Sequence, residues 1–496
     1  MKIQEARSQY QADEPLNHGW PLKKISEVAD VNPRTDKKVI PDDLEISFVP
    51  MPAVGAGDGS IRVDETRTAQ EVKKGFTAFL EGDVLFAKIT PCMENGKMAV
   101  VPPLVNGYGF GSTEFHVLRP KGEVDAKYLY YFVSSQSFRK EAERHMTGAV
   151  GQRRVPTTYL KECEIPVPPL DQQKRIVAEI EKQFSRLDEG IDNLMRVQAN
   201  LKRYKAAVLK AAVEGRLVET EAEIARREGR DFETGEQLLQ RILQERRRRW
   251  EEAELAKMQA RGKTPKNDKW KQKYKEPVAP DTSNLPELPE GWVWATVAQI
   301  TENFDGVRVP VRAKDRKTRQ GPYPYYGASG VIDYVDGYLF EGDYLLIAED
   351  GANLLARSSP IAFRASGKFW VNNHAHIVKT LSHIPLEYLE NFLNGKSLAP
   401  YITGSAQPKL TQAALNRISV PLAPLAEQKR IVAEVDRCLS ILREVETQVD
   451  AGLRRAERLR QSILAAAFSG RLVPNEGDLN HAEREVSGET ATAVVS

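Results

Sequence analysis

Polar and basic side chains on glycine-bearing loops are the residues of this chain best suited to ligand chemistry. In the second half of the chain they are Tyr326, Ser329, Asn353, His374, Gln407 and Lys409. In the first half they are Lys88, Ser112, Arg153 and Arg154. Amides, hydroxyls and lysines suit contacts with base edges and phosphates, and arginine can read guanine. We therefore predict nucleic-acid contacts at these loops, with an ordinary surface loop as the alternative for each.

Signatures of catalysis are mostly absent. No phosphate-loop or amino-methyltransferase motif occurs in the chain. His374 and His376 have no partner at the spacing of a metal site, which favours structural or hydrogen-bonding roles. Asp42, Glu71 and Lys73 could be arranged as a nuclease centre, but so short a pattern often arises by chance. We expect a binding protein that is not an enzyme and that holds no metal and no cofactor.

The loops must be positioned by a framework that the chain contains twice. Residues 173–179 return letter for letter at 428–434, which is 255 positions later. The Gly-Arg-Leu-Val sequence at 215–218 returns at 470–473, with the same offset. No net residue is gained or lost between these anchors, and this indicates a rigid packed element rather than a loop.

Each repeated stretch predicts a long helix, within residues 166–218 and 418–473. Apolar residues recur at steps of seven in the first copy, at Ile180, Leu187, Leu194, Leu201 and Val208. They recur in the second copy at Val435, Leu442, Val449, Ala456 and Ile463. Heptads of this length favour a coiled coil. The helices could join two chains, or they could pair within one chain and hold apart the regions that precede them.

A globular region precedes each helix, and we call residues 19–165 the first globule and residues 286–417 the second globule. Glu-Gly-Asp at 81–83 recurs at 341–343, an offset of 260 that His116 and His376 share. The residues between such anchors hardly agree. The two globules are therefore predicted to share a scaffold and to differ in their loops.

Short apolar runs and one helical pattern predict the fold class of this scaffold. The runs 46–49, 83–87 and 115–118 predict strands, and the spacing of aromatic and apolar residues predicts a helix over 126–138. The expected class is α/β (α+β) with internal duplication. Between the copies, residues 219–285 are rich in charge and predict a solvated helical linker, in which Leu238, Leu239, Ile242 and Leu243 indicate one short amphipathic helix. An arm that contacts phosphates or a partner is the alternative.

Composition places the chain among reduced, cytoplasmic proteins. The net charge is only +2 over 496 residues, so total charge does not indicate nucleic acid, although a basic groove could exist within a balanced total. Cys92, Cys163 and Cys438 form no even disulfide set. No apolar run has the length of a membrane span. Residues 1–18 and 474–496 are polar and are predicted to be mobile ends.

The chain resembles the DNA-specificity subunits of type I restriction-modification enzymes along nearly its whole length. The resemblance is carried by Pro-Leu-x-x-Gln-Lys-Arg-Ile-Val-Ala-Glu, at 169–179 and 424–434, and by the Gly-Arg-Leu-Val helix ends. It is also carried by Gly-Asp-Val-Leu-Phe-Ala-Lys at 82–88, Tyr-Gly-Ala-Ser-Gly at 326–330 and Glu-Asp-Gly-Ala-Asn at 349–353. The combination of these motifs in duplicate is specific.

The resemblance implies that the two globules are target recognition domains carried on two antiparallel spacer helices. Each domain would read one half of a split double-stranded DNA target. It also implies a non-catalytic subunit that docks two modification subunits, which use S-adenosylmethionine. The complex would recruit translocating restriction subunits, which use ATP and magnesium. A coiled-coil adaptor without DNA binding and a self-contained restriction-methylation enzyme stay open as alternatives.

Overall fold

The repeated sequence forms a repeated framework of strands and helices. A computed structural model describes residues 19–149, 151–265, 267–404 and 406–474. These residues group into two units. Unit 1 contains the described residues up to Met195 and from Asp450 onward, and unit 2 contains Arg196–Val449. The first globule therefore lies in unit 1 and the second globule lies in unit 2.

The strands follow the same order in both units. Those of unit 1 are β1 (Leu22–Lys24), β2 (Ala29–Val31), β3 (Glu45–Val49), β4 (Thr66–Thr68), β5 (Thr77–Phe79), β6 (Val84–Ala87), β7 (Met98–Val100), β8 (Gly109–Gly111), β9 (Phe115–Pro120) and β10 (Glu164–Pro166). Those of unit 2 are β11 (Val293–Thr296), β12 (Thr301–Asn303), β13 (Tyr323–Gly327), β14 (Gly330–Val335), β15 (Phe340–Glu341), β16 (Tyr344–Ala348), β17 (Ala362–Ala365), β18 (Lys368–Val371), β19 (Ala375–Thr380) and β20 (Ser419–Leu422).

The strands of the two units pair identically. In unit 1 the sheet orders are β1-β10, β2-β9-β6-β7 and β4-β3-β8-β5. In unit 2 the orders are β11-β20, β12-β19-β16-β17 and β14-β13-β18-β15, so every strand number is raised by ten. One pairing in each copy is parallel, β3 with β8 and β13 with β18. The predicted α/β scaffold and its duplication are confirmed, and the three predicted strands correspond to β3, β6 and β9.

The helices differ widely in length. They are α1 (Ile25–Val28), α2 (Ala69–Val72), α3 (Ala126–Ser134), α4 (Gln136–Arg144), α5 (Thr157–Glu162), α6 (Leu170–Val213), α7 (Glu221–Glu228), α8 (Gly235–Ala260), α9 (Val297–Ile300), α10 (Ala313–Arg316), α11 (Asn353–Ala356), α12 (Leu386–Gly395), α13 (Gln412–Asn416) and α14 (Leu425–Phe468). The single helix expected over 126–138 is divided between α3 and α4. The division falls at Ser135, because its hydroxyl accepts the N–H of Phe138 (3.3 Å) and caps α4.

The two long helices, α6 and α14, are both 44 residues long. At about 1.5 Å per residue each is roughly 65 Å in length. Both end before a glycine in the left-handed region, Gly215 (φ 68°) and Gly470 (φ 77°). The N–H of the arginine that follows each glycine donates to a carbonyl five residues back, at 2.9 and 2.8 Å. The equal length predicted from the two sequence anchors is confirmed.

Within each unit the long helices run antiparallel. In unit 1, Asp188 forms an ion pair with Arg460, and Leu194 lies against Gly452, where a Cβ would stand 3.0 Å from the leucine Cδ1. In unit 2, Tyr204 lies beside Cys438, and Ala212 lies near Ile431. The heptad positions at both ends of the seam are buried, as a coiled coil requires.

The glutamine that opens the repeated motif joins helix to globule in the first copy. Gln173 is fully buried, and its side-chain oxygen accepts the N–H of Asp125 (2.8 Å). Its amide group donates to the carbonyls of Glu123 (2.9 Å) and Pro168 (2.8 Å). Because a buried amide left without these partners would destabilise the junction, glutamine at this position has a structural role.

The charged segment after α6 is helical, but it packs on unit 2 instead of running through solvent as a linker. Leu238 and Ile242 of α8 are fully buried in the main core of that unit. Glu221 at the start of α7 is 3% exposed and pairs with Arg430 of α14 (2.6 Å). Its N–H donates to the buried carboxylate of Glu427 (2.9 Å). The apolar stripe of the segment therefore outweighs its high charge in deciding where it lies.

Part of the sequence prediction concerns residues outside this description. Residues 1–18 and 475–496, predicted to be mobile ends, lie outside the described residues. Residues 277–289, which follow the helices of the charged segment and contain four prolines, form no helix or strand. All three cysteines are free. In the described part of the chain no helix combines the length and the apolar character needed to cross a membrane.

Candidate nucleic-acid interface

Backbone hydrogen bonds join the loop segments of the first globule at one end of β6 and β9. The N–H of Lys88 donates to the carbonyl of Glu114 (2.9 Å), and the N–H of Val155 donates to the carbonyl of Lys88 (2.9 Å). The N–H of Thr90 donates to the carbonyl of Arg153 (3.0 Å). These bonds bring together the segments that carry the four residues predicted for this globule.

The four predicted side chains differ in how far hydrogen bonds and ion pairs with the protein engage them. Arg154 donates two hydrogen bonds to the carboxylate of Glu114 (2.9 and 2.8 Å), and they lower the pKa of that carboxyl. The hydroxyl of Ser112 accepts the N–H of Glu114 (3.2 Å). Arg153 approaches one carboxylate only to 3.6 Å. The ammonium of Lys88 has no ion pair or hydrogen bond with the described residues. Lys88 and Arg153 are thus the cations least engaged by the described protein, whereas Arg154 holds its loop to Glu114.

A buried histidine, His116, forms a hydrogen bond to the backbone next to these loops. His116 is 3% exposed, and burial lowers its pKa to about 4, so the ring is neutral. Its Nε2 donates to the carbonyl of Val155 (2.8 Å), which leaves Nδ1 to accept from the amide of Asn32 (3.0 Å). The oxygen of the same amide accepts the N–H of Val117 (3.0 Å). Sequence reasoning identified His116 as a repeat anchor but missed Asn32.

The second globule joins its loops with the same backbone hydrogen bonds. The N–H of Leu410 donates to the carbonyl of Glu349 (2.8 Å), and the N–H of Glu349 donates to the carbonyl of His374 (2.9 Å). The N–H of Gly351 donates to the carbonyl of Pro408 (3.0 Å). The loops that carry His374, Gln407 and Lys409 therefore meet at the corresponding end of β16 and β19.

Two adjacent carboxylates hold basic side chains of this globule. The Nδ1 of His374 lies 2.8 Å from the carboxylate of Asp350. Lys409 and Arg308 lie 3.3 and 2.8 Å from the carboxylate of Glu349. Two carboxylates thus hold three basic side chains in place. Sequence reasoning missed Arg308, because it lies in a stretch that has no recognisable counterpart in the first copy.

A carboxylate takes the supporting role that an amide has in the first globule. The side chain of Asp305 accepts the N–H of Ile377 (3.0 Å) and contacts Nδ1 of His376 (2.6 Å). The Nε2 of His376 lies 2.7 Å from the carbonyl of Leu410. Burial acts to raise the pKa of Asp305, but the hydrogen bonds of His376 and Ile377 and the charge of Arg308 together lower it. Both histidines considered as metal ligands are thus engaged by carboxylates.

The side chains of the other four predicted residues of this globule do not join these ion pairs. Tyr326 packs its ring against two phenylalanines, and its carbonyl accepts the N–H of Asn372 in the loop that leads to His374. Ser329 is exposed in the turn between β13 and β14, and Gln407 is exposed in its loop. Asn353 bonds through its amide to the serines at 358 and 359 and so stabilises its own loop.

The residues that could form a nuclease centre have structural contacts instead. Asp42 and Lys73 form an ion pair (2.5 Å). The carboxylate of Glu71 accepts both the N–H and the hydroxyl of Thr68, each at 2.9 Å, in a capping box. Among the described residues no group of three or more His, Cys, Asp or Glu side chains is arranged to hold a metal ion.

Comparison with known proteins gives a consistent result. The profile of the type I restriction modification DNA specificity domain matches residues 17–196 and 289–453. The EcoAI and EcoEI specificity subunits of type I restriction enzymes from Escherichia coli are 26% and 24% identical to the chain, and each alignment covers 92% of the chain and 83% of the relative. The solved HsdS subunit of Thermoanaerobacter tengcongensis aligns with a TM-score of 0.54 at 19% identity, over 93% of this chain and 99% of that one. A structure from a study of type I R-M complex assembly and conformational transition aligns with a TM-score of 0.63 at 18% identity, over 92% and 100%.

Proposed function

The chain belongs to the type I restriction-modification DNA specificity family, and we propose that its two globules each read one half of a split DNA target. The observation that carries this proposal is the repeated framework. Corresponding strands and backbone hydrogen bonds position loops whose side chains differ between the copies. A fixed scaffold with different loops is what recognition of two different half-sites requires.

The two long helices set the length of DNA between the half-sites. Their equal length, their matched ends and their antiparallel seams support this role. The length of the DNA opposite the helices then matters for recognition, whereas its sequence does not. A change in helix length should alter the gap and leave both half-sites unchanged.

The chain docks two modification subunits, which supply S-adenosylmethionine, and the complex recruits restriction subunits that use ATP and magnesium in the cytoplasm. Exposed apolar side chains on the long helices support docking: Met195, Val197, Tyr204, Ile441 and Leu459. Large apolar side chains exposed on a helix are common at protein interfaces. The chain contributes no catalytic residue, and incorporation of labelled methyl groups into DNA by the rigorously purified single subunit would contradict this.

Genome-wide mapping of methylated positions, with and without this chain, tests the proposal. We expect a single bipartite motif to lose its methylation when the chain is deleted and to regain it when the gene is restored. The purified complex should also bind that duplex with strong dependence on salt. Motif methylation that persists without the chain would contradict the proposal. Absence of specific duplex binding would favour a coiled-coil adaptor.

A further inference from the structure

A cavity of about 480 Å³ lies between the charged segment and the second globule, entirely within unit 2. Its walls are one face of α8, the residues 273–275, Glu302 in the middle of β12, and Leu381 directly after β19. Ligand sites of small molecules have volumes of this order. The cavity exists because the charged segment folds back on the globule instead of extending into solvent.

The cavity collects positive charge that the described protein does not neutralise. Lys273 and Lys275 form no ion pair or hydrogen bond with the described residues, and both are exposed. The guanidinium of Arg246 donates to the carbonyl of Thr301 (2.6 Å) but has no carboxylate partner among them. Arg249 is the paired cation of the lining, held by Glu245. The lining contains one carboxylate without an ion pair to the described residues, that of Glu302, so these three cations leave an excess of positive charge, and this excess indicates an anionic ligand.

Aromatic side chains make up another part of the lining. The rings of Trp250 and Tyr274 lie 5.3 Å apart, and Trp270 stacks on Trp250 at 6.1 Å, which fixes the indole in place. The hydroxyl of Tyr274 is enclosed and makes no hydrogen bond of good geometry with the described residues, although Arg246 lies close to it. Rigid aromatic walls beside free cations are typical of sites that bind a base together with its phosphate.

The cavity is separate from the recognition loops of the same globule. In the antiparallel register of β12 and β19, Glu302 lies opposite Lys379, near the end of β19. His374 lies just before the start of β19. Five residues of strand separate these positions, a distance of roughly 17 Å at about 3.3 Å per residue. A ligand in the cavity therefore does not occupy the positions of the loops predicted to read bases.

We propose that this cavity binds a nucleoside phosphate, with the phosphate on Arg246, Lys273 and Lys275 and the base against Trp250 and Tyr274. The ligand is either a free nucleotide or one nucleotide of a DNA strand. The carboxylate of Glu302, which has no ion pair among the described residues, lies in the wall and can accept from a sugar hydroxyl or a base amine. A simple polyanion offers no such donor.

The test measures fluorescence anisotropy of N-methylanthraniloyl-ATP on the full chain assembled with its modification subunits, without restriction subunits. Saturable binding that Lys273→Glu with Lys275→Glu weakens at least about tenfold is expected, because each charge-assisted hydrogen bond contributes about that factor. The matched control, Lys263→Glu with Lys269→Glu, makes the same charge change outside the cavity and should leave binding unchanged. Since the mutated lysines are exposed, the variants should fold, and their thermal transitions check this.

Competition identifies the source and the class of the ligand. Displacement by AMP or ATP supports a free nucleotide, and stronger displacement by a ten-nucleotide oligothymidylate supports a nucleotide of a strand. Equal competition by tripolyphosphate or by a glutamate-rich peptide would overturn the proposal, since neither has a base. Failure of the labelled nucleotide and the oligonucleotide to bind, or equal binding by the charge-reversed and control variants, would overturn it as well. None of these outcomes depends on which loops read DNA.

Discussion

The two globules hold their loops with corresponding backbone hydrogen bonds. The side chains that support these loops differ in charge. In the first globule the support is neutral, because the amide of Asn32 faces a histidine, His116, whose pKa burial lowers to about 4. In the second globule the carboxylate of Asp305 faces His376, next to a glutamate that is paired with Arg308. Because main-chain contacts fix the framework, the side chains are free to differ, and this freedom would allow each globule to read the different half-site that we propose for it.

The largest expected effect is the loss of specific DNA binding when the predicted loop residues of one globule are replaced. Alanine at all the predicted second-globule residues should reduce binding of the target duplex to the non-specific level, a loss of about a thousandfold or more. The residues are Tyr326, Ser329, Asn353, His374, Gln407 and Lys409. Alanine at Lys88, Ser112, Arg153 and Arg154 should do the same through the other half-site. Titration of the assembled complex with target and scrambled duplexes at fixed salt measures the ratio of specific to non-specific affinity.

A matched control for this experiment is available in the second globule. Glu341 and Lys368 form a solvent-exposed pair at 3.9 Å, on the short strands β15 and β18. Alanine at both should leave the ratio of specific to non-specific affinity unchanged. Unchanged specific affinity in either loop variant would show that other loops contact the DNA.

The next effect concerns the supporting contacts. Asp305→Ala should destabilise the second globule by about 3–5 kcal/mol, because it removes the buried carboxylate that contacts His376 and accepts the N–H of Ile377, while Arg308 keeps its pair with Glu349. Asn32→Ala should cost the first globule about 1–3 kcal/mol, since it removes only neutral hydrogen bonds. Hydrogen exchange in the central strands β6 and β16, whose sheet pairing does not involve the substituted side chains, reports the stability of each globule separately. Equal losses would mean that the difference in charge is not energetically important.

The pH dependence of stability should distinguish the histidine of the first globule, His116, from the carboxylate of the second, Asp305. The pKa of His116 is about 4 in the fold and near 6.5 when unfolded, so the unfolded state binds more protons between these values. The first globule should therefore lose about 1–3 kcal/mol of unfolding free energy as pH falls from 7 to 5. The pKa of Asp305 is lowered, so its contribution is lost only below the ordinary aspartate range. His116→Gln should abolish this part of the pH dependence, and an unaltered dependence in that variant would refute the assignment.

The smallest effect compares two lysines at the interface. Lys88 has no described partner, whereas Lys409 lies 3.3 Å from Glu349. Lys88→Ala should lower the slope of log affinity against log salt by about one, uniformly across sequences. Lys409→Ala should lower it less, because a carboxylate already balances part of its charge. A larger change in slope for Lys409→Ala would mean that this ion pair opens on DNA.

Repetition made most of the fold predictable from the sequence. The identical offsets of the two anchors predicted two helices of equal length, and the glycines at 215 and 470 predicted their ends. The break at Ser135 was not predicted, because the periodicity of buried residues continues across it and only a serine cap divides the helices. The short amphipathic helix that contains Leu238 and Ile242 was predicted, but its burial in the core of the second unit was not, because the high charge of the surrounding segment favoured a solvated linker.

The candidate site was predictable in position but not in its internal contacts. Loop position placed Lys88, Arg153 and Arg154 together. Nothing in the sequence indicates that Arg154 binds Glu114 or that Asn353 holds its own loop, because such pairs are distant in sequence or depend on local geometry. Arg308 and Asp305 occupy a stretch that differs between the copies, so the duplication that found the other residues gave no signal there.

The most direct test of the account shortens both long helices by one heptad. The deletions are 190–196 in α6 and 450–456 in α14, which contain the facing residues Leu194 and Gly452 and keep the seams in phase. Each helix loses roughly 10 Å, or about three base pairs of duplex. A control that replaces exposed charged residues of these heptads, Asp192 in α6 and Arg454 in α14, with alanine keeps the length. Selection of methylated sites from a library with randomised gaps should return the same half-sites with a gap about three base pairs shorter. Retention of the original gap by the active deletion variant would contradict the account.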